Sequence, residues 1–329
     1  MATVTSVGSG NYNTGSTWDS GARPGSSDDV VIASGHTVTL AQNENANSLT
    51  IASGGTIVGA GYEITIDGED GSGFAVNNDG TISGNLDLEI NTPATTTCDF
   101  QGSSGNFQHV KLNHASVDVH LSGNTTFDGN LTIAAGTFDC SNEGGDSKDL
   151  TVTGHVSVTG TLTGNASTMT FKSLQIDSGG TYSATSGTTT ITGEHTSGFA
   201  WYNVNGTFTH NNGNVEFNDN ASHIRENTFY DLNINCDNSG GTITWRDASG
   251  NTLTVANDLT ITSGILKRET VTDTLTVTAD VDIAANGTLG QITDTGANNF
   301  GSLTINSGGT YNATSGTTTI TNKASTNFA

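Results

Sequence analysis

A short acidic loop, DGEDGSG at residues 67–73, carries the first side chains in this sequence that can do chemistry. Asp67, Glu69 and Asp70 lie close together among glycines, and closely spaced carboxylates in a tight turn are typical ligands of Ca²⁺. The spacing does not match an EF-hand loop, and the corresponding loop at residues 192–198 keeps only Glu194. We therefore favour a solvated turn and retain a calcium site as the alternative.

Three histidines, His109, His114 and His120, fall within the stretch FQHVKLNHASVDVH. Imidazole is a common zinc ligand. Side chains alternate along a strand, so His114 and His120 would share a face, opposite His109, if the strand were unbroken. We expect a turn at NHAS instead, and this favours structural roles for the three histidines over a zinc site.

Paired carboxylates are needed for glycoside hydrolysis, in which one of the two acts as an acid. Asp87/Glu89 and Asp280/Asp282 have the i, i+2 spacing that places two side chains on one face of a strand. Lyase chemistry usually adds a basic residue, and the triplet WRD at 245–247 offers one. We favour outward, solubilising charges as the interpretation of these pairs and predict that the chain is not an enzyme.

Aromatic side chains are scarce, at 6% of the residues. Trp201, Tyr202 and Trp245 are the candidates for exposed ligand contacts, because large aromatic side chains supply much of the contact area of binding sites. Packing in the core explains the same three positions equally well.

The charge balance restricts the partners of the protein. The chain has 9 Lys and Arg against 32 Asp and Glu, for a net charge of −23. Such a surface repels nucleic acid, which is bound through basic contacts to phosphates. No run of 18 apolar residues is present and the N-terminus lacks the features of a signal peptide, so neither membrane insertion nor a cleaved leader is predicted.

The three cysteines, Cys98, Cys140 and Cys236, form no C-x-x-C pair and are odd in number. They imply no disulfide framework, although one long-range bridge is compatible with them.

An internal repeat organises the chain. A 28-residue cassette begins at Ser48, Ser173 and Ser302; the first and second copies share 15 positions, and the second and third share 19. The sequence thus divides into an N-terminal segment (1–47), a first repeat unit (48–172), a second repeat unit (173–301) and the start of a third, incomplete unit (302–329).

The pattern inside each unit predicts an all-β chain. Short alternating runs of Leu, Val, Ile and Thr are followed by turns rich in Gly, Asn and Ser, and no helical period is visible. Very short strands, an immediate Gly-Gly corner after LTI-x-S and the absence of linkers favour a single-chain parallel β-helix, or solenoid, of about 13–15 turns. Tandem β-sandwich domains are the alternative.

A solenoid needs a cap over its first turn. The segment STWDSGARPG concentrates Trp18, Arg23 and Pro24, which are rare residue types in this chain. We predict that Trp18 is the lid of an N-terminal cap.

The segment that follows Trp18 has the pattern W-x-x-G-x-x-P-x-x-x-D-x-V-x-I-x-x-G-x-x-V-x-L. It is formed by Trp18, Gly21, Pro24, Asp28, Val30, Ile32, Gly35, Val38 and Leu40. This pattern is similar to the start of many β-helical phage structural proteins and bacterial surface adhesins, and GTFTHNNGNVEFN resembles their repeats. The resemblance implies an elongated virion or cell-surface protein and carries over no catalytic residue.

The expected function is that of a structural and adhesive rod, a fibre or decoration component of a phage virion, located in the virion or outside the cell. A carbohydrate-active lyase or hydrolase and a subunit of a secreted filament are the alternatives. The expected partners are other subunits, as a homotrimer or stacked end to end, and a cell-surface glycan. No cofactor is expected beyond the alternative Ca²⁺. We also expect that the chain continues past Ala329 or that another subunit covers that end.

Overall fold

The computed structural model describes residues 1–92, 97–102, 107–195, 197–226, 228–246 and 252–321, with the backbone alone at 97–99 and 101–102. Within these residues the chain forms 35 strands and one short 3₁₀ helix, Gly15–Thr17. The strands build a parallel β-solenoid of about 14 turns. This confirms the predicted fold and excludes tandem β-sandwiches. Asp247 and Ala329, which were singled out from the sequence, lie outside the described residues.

The chain folds as two compact units. Unit 1 comprises Met1–Met169, Ile176–Ser183 and Asn205–Thr207, and unit 2 comprises Thr170–Gln175, Ala184–Val204 and Phe208–Ala329. These units are defined by packing, whereas the predicted repeat units are defined by sequence correspondence, so the repeat boundaries stay a prediction.

The first 21 strands lie in unit 1, except that β20 has residues in both units. They are β1 (Ala2–Thr5), β2 (Gly10–Asn11), β3 (Asp28–Ile32), β4 (Thr37–Thr39), β5 (Glu44–Ala46), β6 (Ser48–Ile51), β7 (Thr56–Val58), β8 (Glu63–Ile66), β9 (Phe74–Asn78), β10 (Thr81–Ser83), β11 (Leu86–Ile90), β12 (Thr97–Gly102), β13 (Phe107–Leu112), β14 (Asp118–Leu121), β15 (Thr125–Phe127), β16 (Asn130–Ile133), β17 (Thr137–Asp139), β18 (Leu150–Val158), β19 (Thr161–Thr163), β20 (Met169–Ile176) and β21 (Thr181–Ser183).

The remaining strands lie in unit 2, except that β24 has residues in both units. They are β22 (Thr188–Ile191), β23 (Phe199–Asn203), β24 (Thr207–Thr209), β25 (Asn214–Phe217), β26 (Ala221–Arg225), β27 (Thr228–Phe229), β28 (Asp231–Asn235), β29 (Thr242–Trp245), β30 (Thr252–Val255), β31 (Leu259–Arg268), β32 (Thr274–Leu289), β33 (Asn298–Ile305), β34 (Thr310–Tyr311) and β35 (Thr318–Ile320).

Alternation along each strand decides which side chains form the core. In β11, Leu86, Leu88 and Ile90 are buried, whereas Asp87 and Glu89 point outward. Parallel in-register pairing then places each inward side chain on its counterpart about 4.8 Å away in the next turn. The result in each unit is a core of stacked Leu, Ile, Val and Phe side chains.

In unit 1, one sheet runs in the order β1-β3-β6-β9-β12-β14-β17-β19-β21, and a second in the order β10-β7-β4-β2. A third succession pairs β5 with β8, β8 with β11, β11 with β13, β13 with β16 and β16 with β18. The core of unit 1 contains an aromatic cluster in which Phe127 contacts Phe100, Phe107 and Phe138 at ring-centroid distances of 5.5, 6.4 and 6.1 Å.

In unit 2, β22 pairs with β25, β25 with β28, β28 with β31 and β31 with β32. A second succession runs from β23 to β26, β29 and β31. Its inward positions form a column in which Trp201 pairs with Ile224, Ile224 with Trp245, and Trp245 with Arg268.

The column ends in a polar cluster in the interior of unit 2. The side chains of Arg268 and Asp294 are 6% and 1% exposed, and Arg268 Nη1 lies 3.0 Å from Asp294 Oδ2. Arg268 Nη2 also donates to Asn298 Oδ1, and Asn298 Nδ2 donates to Tyr311 Oη at 2.8 Å. Arg268, Asp294 and Asn298 border a cavity of about 20 Å³, which is room for about one water molecule.

The described parts of the three sequence cassettes form strands at equivalent positions. The first forms β6, β7 and β8; the second forms the end of β20 together with β21 and β22; the third forms the end of β33 together with β34 and β35. The gapless alignment of the cassettes is therefore matched by strands at equivalent positions.

Of the residues singled out for an N-terminal cap, Trp18 and Pro24 are buried and Arg23 is exposed. Trp18 is 2% exposed, and its ring packs edge to face on Tyr12 at 5.1 Å. Trp18 Nε1 donates to the Tyr12 carbonyl at 2.7 Å, and Tyr12 Oη donates to the Asn45 carbonyl at 2.9 Å. These contacts fix the orientation of the indole, and its role as the lid of a cap stays a prediction.

Cys140 in unit 1 and Cys236 in unit 2 are buried free thiols, so no disulfide joins these two residues. The side chain of Cys98 is not among those that the structure describes. The described residues also contain no helix with the length and apolar character that a membrane crossing demands.

Candidate functional site

The outer face of unit 2 carries a patch of basic and aromatic side chains on β23, β26, β29 and β31 and on the residues that directly follow β29 and β31. We name it the cation–aromatic patch. It consists of Phe199, Tyr202, His223, Arg225, Thr244, Arg246, Lys267 and Glu269. The pairs His223/Arg225, Thr244/Arg246 and Lys267/Glu269 each have i, i+2 spacing, so both members of each pair point outward.

Strand register sorts the patch into two columns. In the first, Phe199 pairs with His223, His223 with Thr244, and Thr244 with Lys267. In the second, Tyr202 pairs with Arg225, and the next two turns contribute Arg246 and Glu269. Adjacent members of a column are one strand spacing apart, about 4.8 Å.

Ring contacts hold the basic side chains in place. The Phe199 and Tyr202 rings stack at 4.5 Å with an interplanar angle of 29°. The Arg225 guanidinium lies 5.3 Å from the Tyr202 centroid, and its Nη1 donates to Tyr202 Oη at 3.1 Å. Arg246 lies 5.7 Å from the Phe199 centroid. Such cation–π contacts favour a fixed orientation of each guanidinium.

Arg246 also forms the ion pair of the patch. Its Nε lies 2.5 Å from Glu269 Oε2, with side chains 41% and 39% exposed. The hydrogen bond from Arg246, followed by its positive charge and that of His223, lowers the pKa of Glu269 despite some desolvation. The same hydrogen bond raises the pKa of Arg246. Both groups are therefore fully charged near neutral pH.

The patch is unusual for this chain. Of the 9 Lys and Arg residues in an otherwise acidic protein, Arg225, Arg246 and Lys267 share this one face. The described acids near them include Glu269, Glu226, which accepts a hydrogen bond from Asn203 at 2.8 Å, and Glu194, whose Oε2 approaches Gly198 on the side of the His223 ring.

A bulge in β23 decides which of its aromatic side chains join the patch. Two predictions about exposed tryptophans are wrong. The register shifts between Phe199 and Trp201, so Ala200 and Trp201 both point inward while Phe199 and Tyr202 point outward. Trp201 and Trp245 are 0% and 1% exposed, so the expectation that they are exposed ligand contacts is wrong; they pack in the core instead. Tyr202 is partly exposed and remains a candidate contact.

A second group of ionisable residues lines a groove of about 240 Å³ on the outer face of unit 1. In one column Glu63 pairs with Asp87, Asp87 with His109, and His109 with Asn130. Desolvation, together with the nearby charges of Glu89 and Asp87, raises the pKa of Glu63, although Lys111 opposes this. The sequence did not reveal Glu63 as the neighbour of Asp87, because turn lengths vary along the chain.

In the next column of this groove, the carboxylate of Glu89 is already hydrogen-bonded to side chains of the protein. Asp87 and Glu89 share a face, as predicted. Glu89, however, accepts hydrogen bonds from Lys111 Nζ at 3.1 Å and Asn113 Nδ2 at 2.9 Å. Of the two carboxylates, Asp87 is the one that belongs to the column containing Glu63.

The second predicted acid pair is tied to the scaffold in the same way. Asp280 and Asp282 point outward from β32, as predicted. Ser302 Oγ donates to Asp280 at 2.5 Å, and Asn306 Nδ2 donates to Asp282 at 2.6 Å. Both acids thus bond to the adjacent turn.

The acidic loop at 67–73 holds its own turn. Asp70 Oδ1 accepts hydrogen bonds from the backbone N–H groups of Ser72 at 2.7 Å and Phe74 at 3.1 Å. Burial raises the pKa of Asp67, while hydrogen bonds from Asn91 and Asn45 act in the opposite direction. In the part of the chain that the structure covers, no three His, Cys, Asp or Glu side chains are grouped as metal ligands. The hydrogen bonds of Asp70 fit the favoured solvated turn, and a calcium site at Asp67, Glu69 and Asp70 stays the untested alternative.

The three histidines are likewise separated. His109 lies on β13 and His120 on β14, which belong to different sheets. His114 lies in the turn between them, where its Nδ1 accepts from the Ser116 N–H at 3.2 Å. The turn predicted at NHAS is present, and it prevents the three rings from converging.

The sequence matches no protein-family model, and no curated protein or solved structure matches the chain. The resemblance to β-helical phage and adhesin proteins stays a prediction based on the sequence pattern.

Proposed function

We propose that the chain is a structural and adhesive β-solenoid, a fibre or decoration component of a phage virion that binds through residues on its outer face. The observation that carries this proposal is that both the inward and the outward side chains of the strands stabilise the solenoid. Inward side chains fill the core, and most of the outward acids singled out from the sequence bond to an adjacent turn.

Bonds between acids and amides in adjacent turns support this proposal. In unit 2, Asn257 donates to Asp231 at 2.8 Å and Asn233 donates to Glu216 at 2.7 Å. Hydrogen bonds to charged acceptors stabilise by about 1.5–3 kcal/mol each. An acidic, Asn-rich surface built in this way strengthens a scaffold and does not require a reaction.

The proposed partners follow from the same function. We place the protein in a virion or outside the cell, in contact with other virion or filament subunits as a homotrimer or stacked end to end, and with a cell-surface glycan.

Immunogold electron microscopy tests this proposal. Antibodies raised against the purified chain are applied to particles and cell surfaces of the organism that encodes it. We expect gold on structures that project from a particle or cell. Gold confined to the cell interior, with bare particles and surfaces, would contradict the proposed function.

A carbohydrate-active enzyme is the second candidate, favoured by the groove of unit 1. The raised pKa of Glu63 suits a general acid, and Asp87 lies one strand away as the second carboxylate. The test is release of reducing or unsaturated sugar ends from glycans by the intact chain, with Glu63→Gln and Asp87→Ala as variants and Asp282→Asn as the control. Release that both groove variants abolish and the control retains would replace the structural proposal.

A further inference from the structure

We propose that the cation–aromatic patch of unit 2 binds an acidic polysaccharide whose anionic groups are carboxylates. This inference deepens the adhesive function proposed above and rests on it. It concerns Phe199, Tyr202, Arg225, Arg246 and Lys267 on the outer faces of consecutive turns.

The chemistry of the basic residues points to carboxylates. Guanidinium groups present a planar fork of N–H donors that matches a carboxylate in bidentate geometry. Arg225 and Arg246 occupy successive turns of one column, and Lys267 stands in the neighbouring column. A polymer with a carboxylate on each sugar can therefore meet several cations at once.

Preorganisation strengthens the case. Arg225 is held against Tyr202 by a ring contact and a hydrogen bond, and Arg246 is held against Phe199. A guanidinium carries five N–H donors, so Arg225 retains donors for a ligand while it bonds Tyr202. Side chains that are ordered before binding lose less entropy when the ligand arrives.

The aromatic pair supplies a second kind of contact. Phe199 and Tyr202 stack on one another at the first turn of the patch and are partly exposed. Their ring edges and the Tyr202 hydroxyl offer apolar area and a hydrogen-bonding group to a sugar ring.

The charge of the rest of the chain argues against nucleic acid as the ligand. Nucleic-acid affinity comes largely from many phosphate contacts, whereas this patch has three cations within a chain of net charge −23. A polysaccharide in which carboxylates alternate with hydroxyls presents a sparser charge that suits a small patch.

Binding of defined polymers by the intact chain tests the proposal. Polygalacturonate, dextran sulfate, neutral dextran and single-stranded oligothymidylate are compared by biolayer interferometry at low and moderate salt. We expect binding to polygalacturonate that weakens with salt, and none to dextran. Tightest binding to dextran sulfate or the oligonucleotide, or no binding to any polymer, would overturn the proposal.

Variants then place the site. Arg225→Gln/Arg246→Gln is expected to lower the affinity for polygalacturonate at least about tenfold, the loss of one charge-assisted hydrogen bond or more. Arg225→Lys keeps the charge and loses the fork, so its effect is expected to be smaller. Lys148→Ala removes a positive charge from unit 1 and is the matched control. Equal losses in the control and the double variant would refute the patch as the site.

Glu269→Gln keeps the test decisive if the double variant does not fold. This change frees Arg246 from its ion pair, and we expect tighter binding of polygalacturonate; unchanged or weaker binding contradicts the assignment. Gold labelling of particles is independent of these measurements. Labelled particles without polymer binding would refute the polysaccharide site and would not contradict the proposed structural function.

Discussion

Two arginines of unit 2, Arg246 and Arg268, form ion pairs on opposite faces of the solenoid wall. Arg246 lies outside, 2.5 Å from Glu269, with both side chains about two-fifths exposed; Arg268 lies inside, 3.0 Å from Asp294, with both side chains almost fully buried. The shorter contact is expected to matter less for stability, because water screens the outer pair and leaves the inner pair unscreened. The location of a charge, more than the length of its contact, decides its energetic role here.

The largest effect is expected from breaking the inner pair. Asp294→Ala leaves the Arg268 guanidinium buried without its counterion, and we expect the free energy of unfolding to fall by about 3–5 kcal/mol. Urea denaturation, followed by the fluorescence of the buried tryptophans of unit 2 in a Trp18→Phe background, measures this loss.

The apolar double variant Arg268→Met/Asp294→Leu is the control for that experiment. It removes both charges and keeps the volume, so it is expected to recover most of the stability lost in Asp294→Ala. A loss below about 1 kcal/mol in the single variant would show that the inner pair is hydrated, and the contrast with the outer pair would disappear.

A smaller effect is expected from trimming the inward column itself. Ile224 stacks between Trp201 and Trp245, and Ile224→Val should cost about 0.5–1.5 kcal/mol through the missing methylene. Thr244→Ala, on the outer face of the adjacent strand, should stay within about 0.5 kcal/mol. Equal costs for the two variants would mean that the two faces are not energetically distinct.

The outer pair should contribute less than the inner pair. A double-mutant cycle of Arg246→Gln and Glu269→Gln is expected to give a coupling below about 1 kcal/mol. Because the pKa of Glu269 is lowered in the folded state, this stabilisation is present above the ordinary glutamate pKa and is lost as the pH falls through the lowered value. Coupling that persists unchanged at pH 3, or that exceeds the loss in Asp294→Ala, would contradict the comparison.

No reaction at all is expected at the inward thiols. Burial raises the pKa of Cys140 far above its usual range and that of Cys236 to about 11, so the reactive thiolate is absent near neutral pH. Peptide mapping after treatment of the folded chain with iodoacetamide at pH 8 should find both residues unmodified, with the urea-unfolded chain as the positive control. Rapid labelling of either thiol in the folded chain would place it on the outer face.

Most of the fold was predictable, because alternation and repetition are direct consequences of a strand scaffold. The runs of Leu, Ile and Val predicted the inward faces and the solenoid, and NHAS predicted its turn. Arg268 was overlooked, although it lies two residues after Leu266 and so on the same inward face. Arginine is rarely buried without a partner, and the partner that makes burial tolerable here, Asp294, lies on another turn.

The candidate sites were less predictable, because they depend on register between turns. The bulge that turns Trp201 inward and leaves Tyr202 outside has no counterpart in simple alternation. Neighbours across a turn, such as Glu63 and Asp87 or Arg225 and Arg246, are separated by loops of unequal length. The pattern within a single strand therefore does not show which residues of the next turn lie beside it.

The matching strands of the three cassettes have a consequence for how such a gene changes over time. Each turn satisfies its hydrogen bonds through its two neighbours, so a duplicated stretch of DNA that encodes whole turns can be inherited without rebuilding the rest. A shift of one residue within a strand, in contrast, would exchange its core and solvent faces. Selection on a protein of this kind should therefore tolerate gains and losses of entire turns and remove most single-residue insertions within strands.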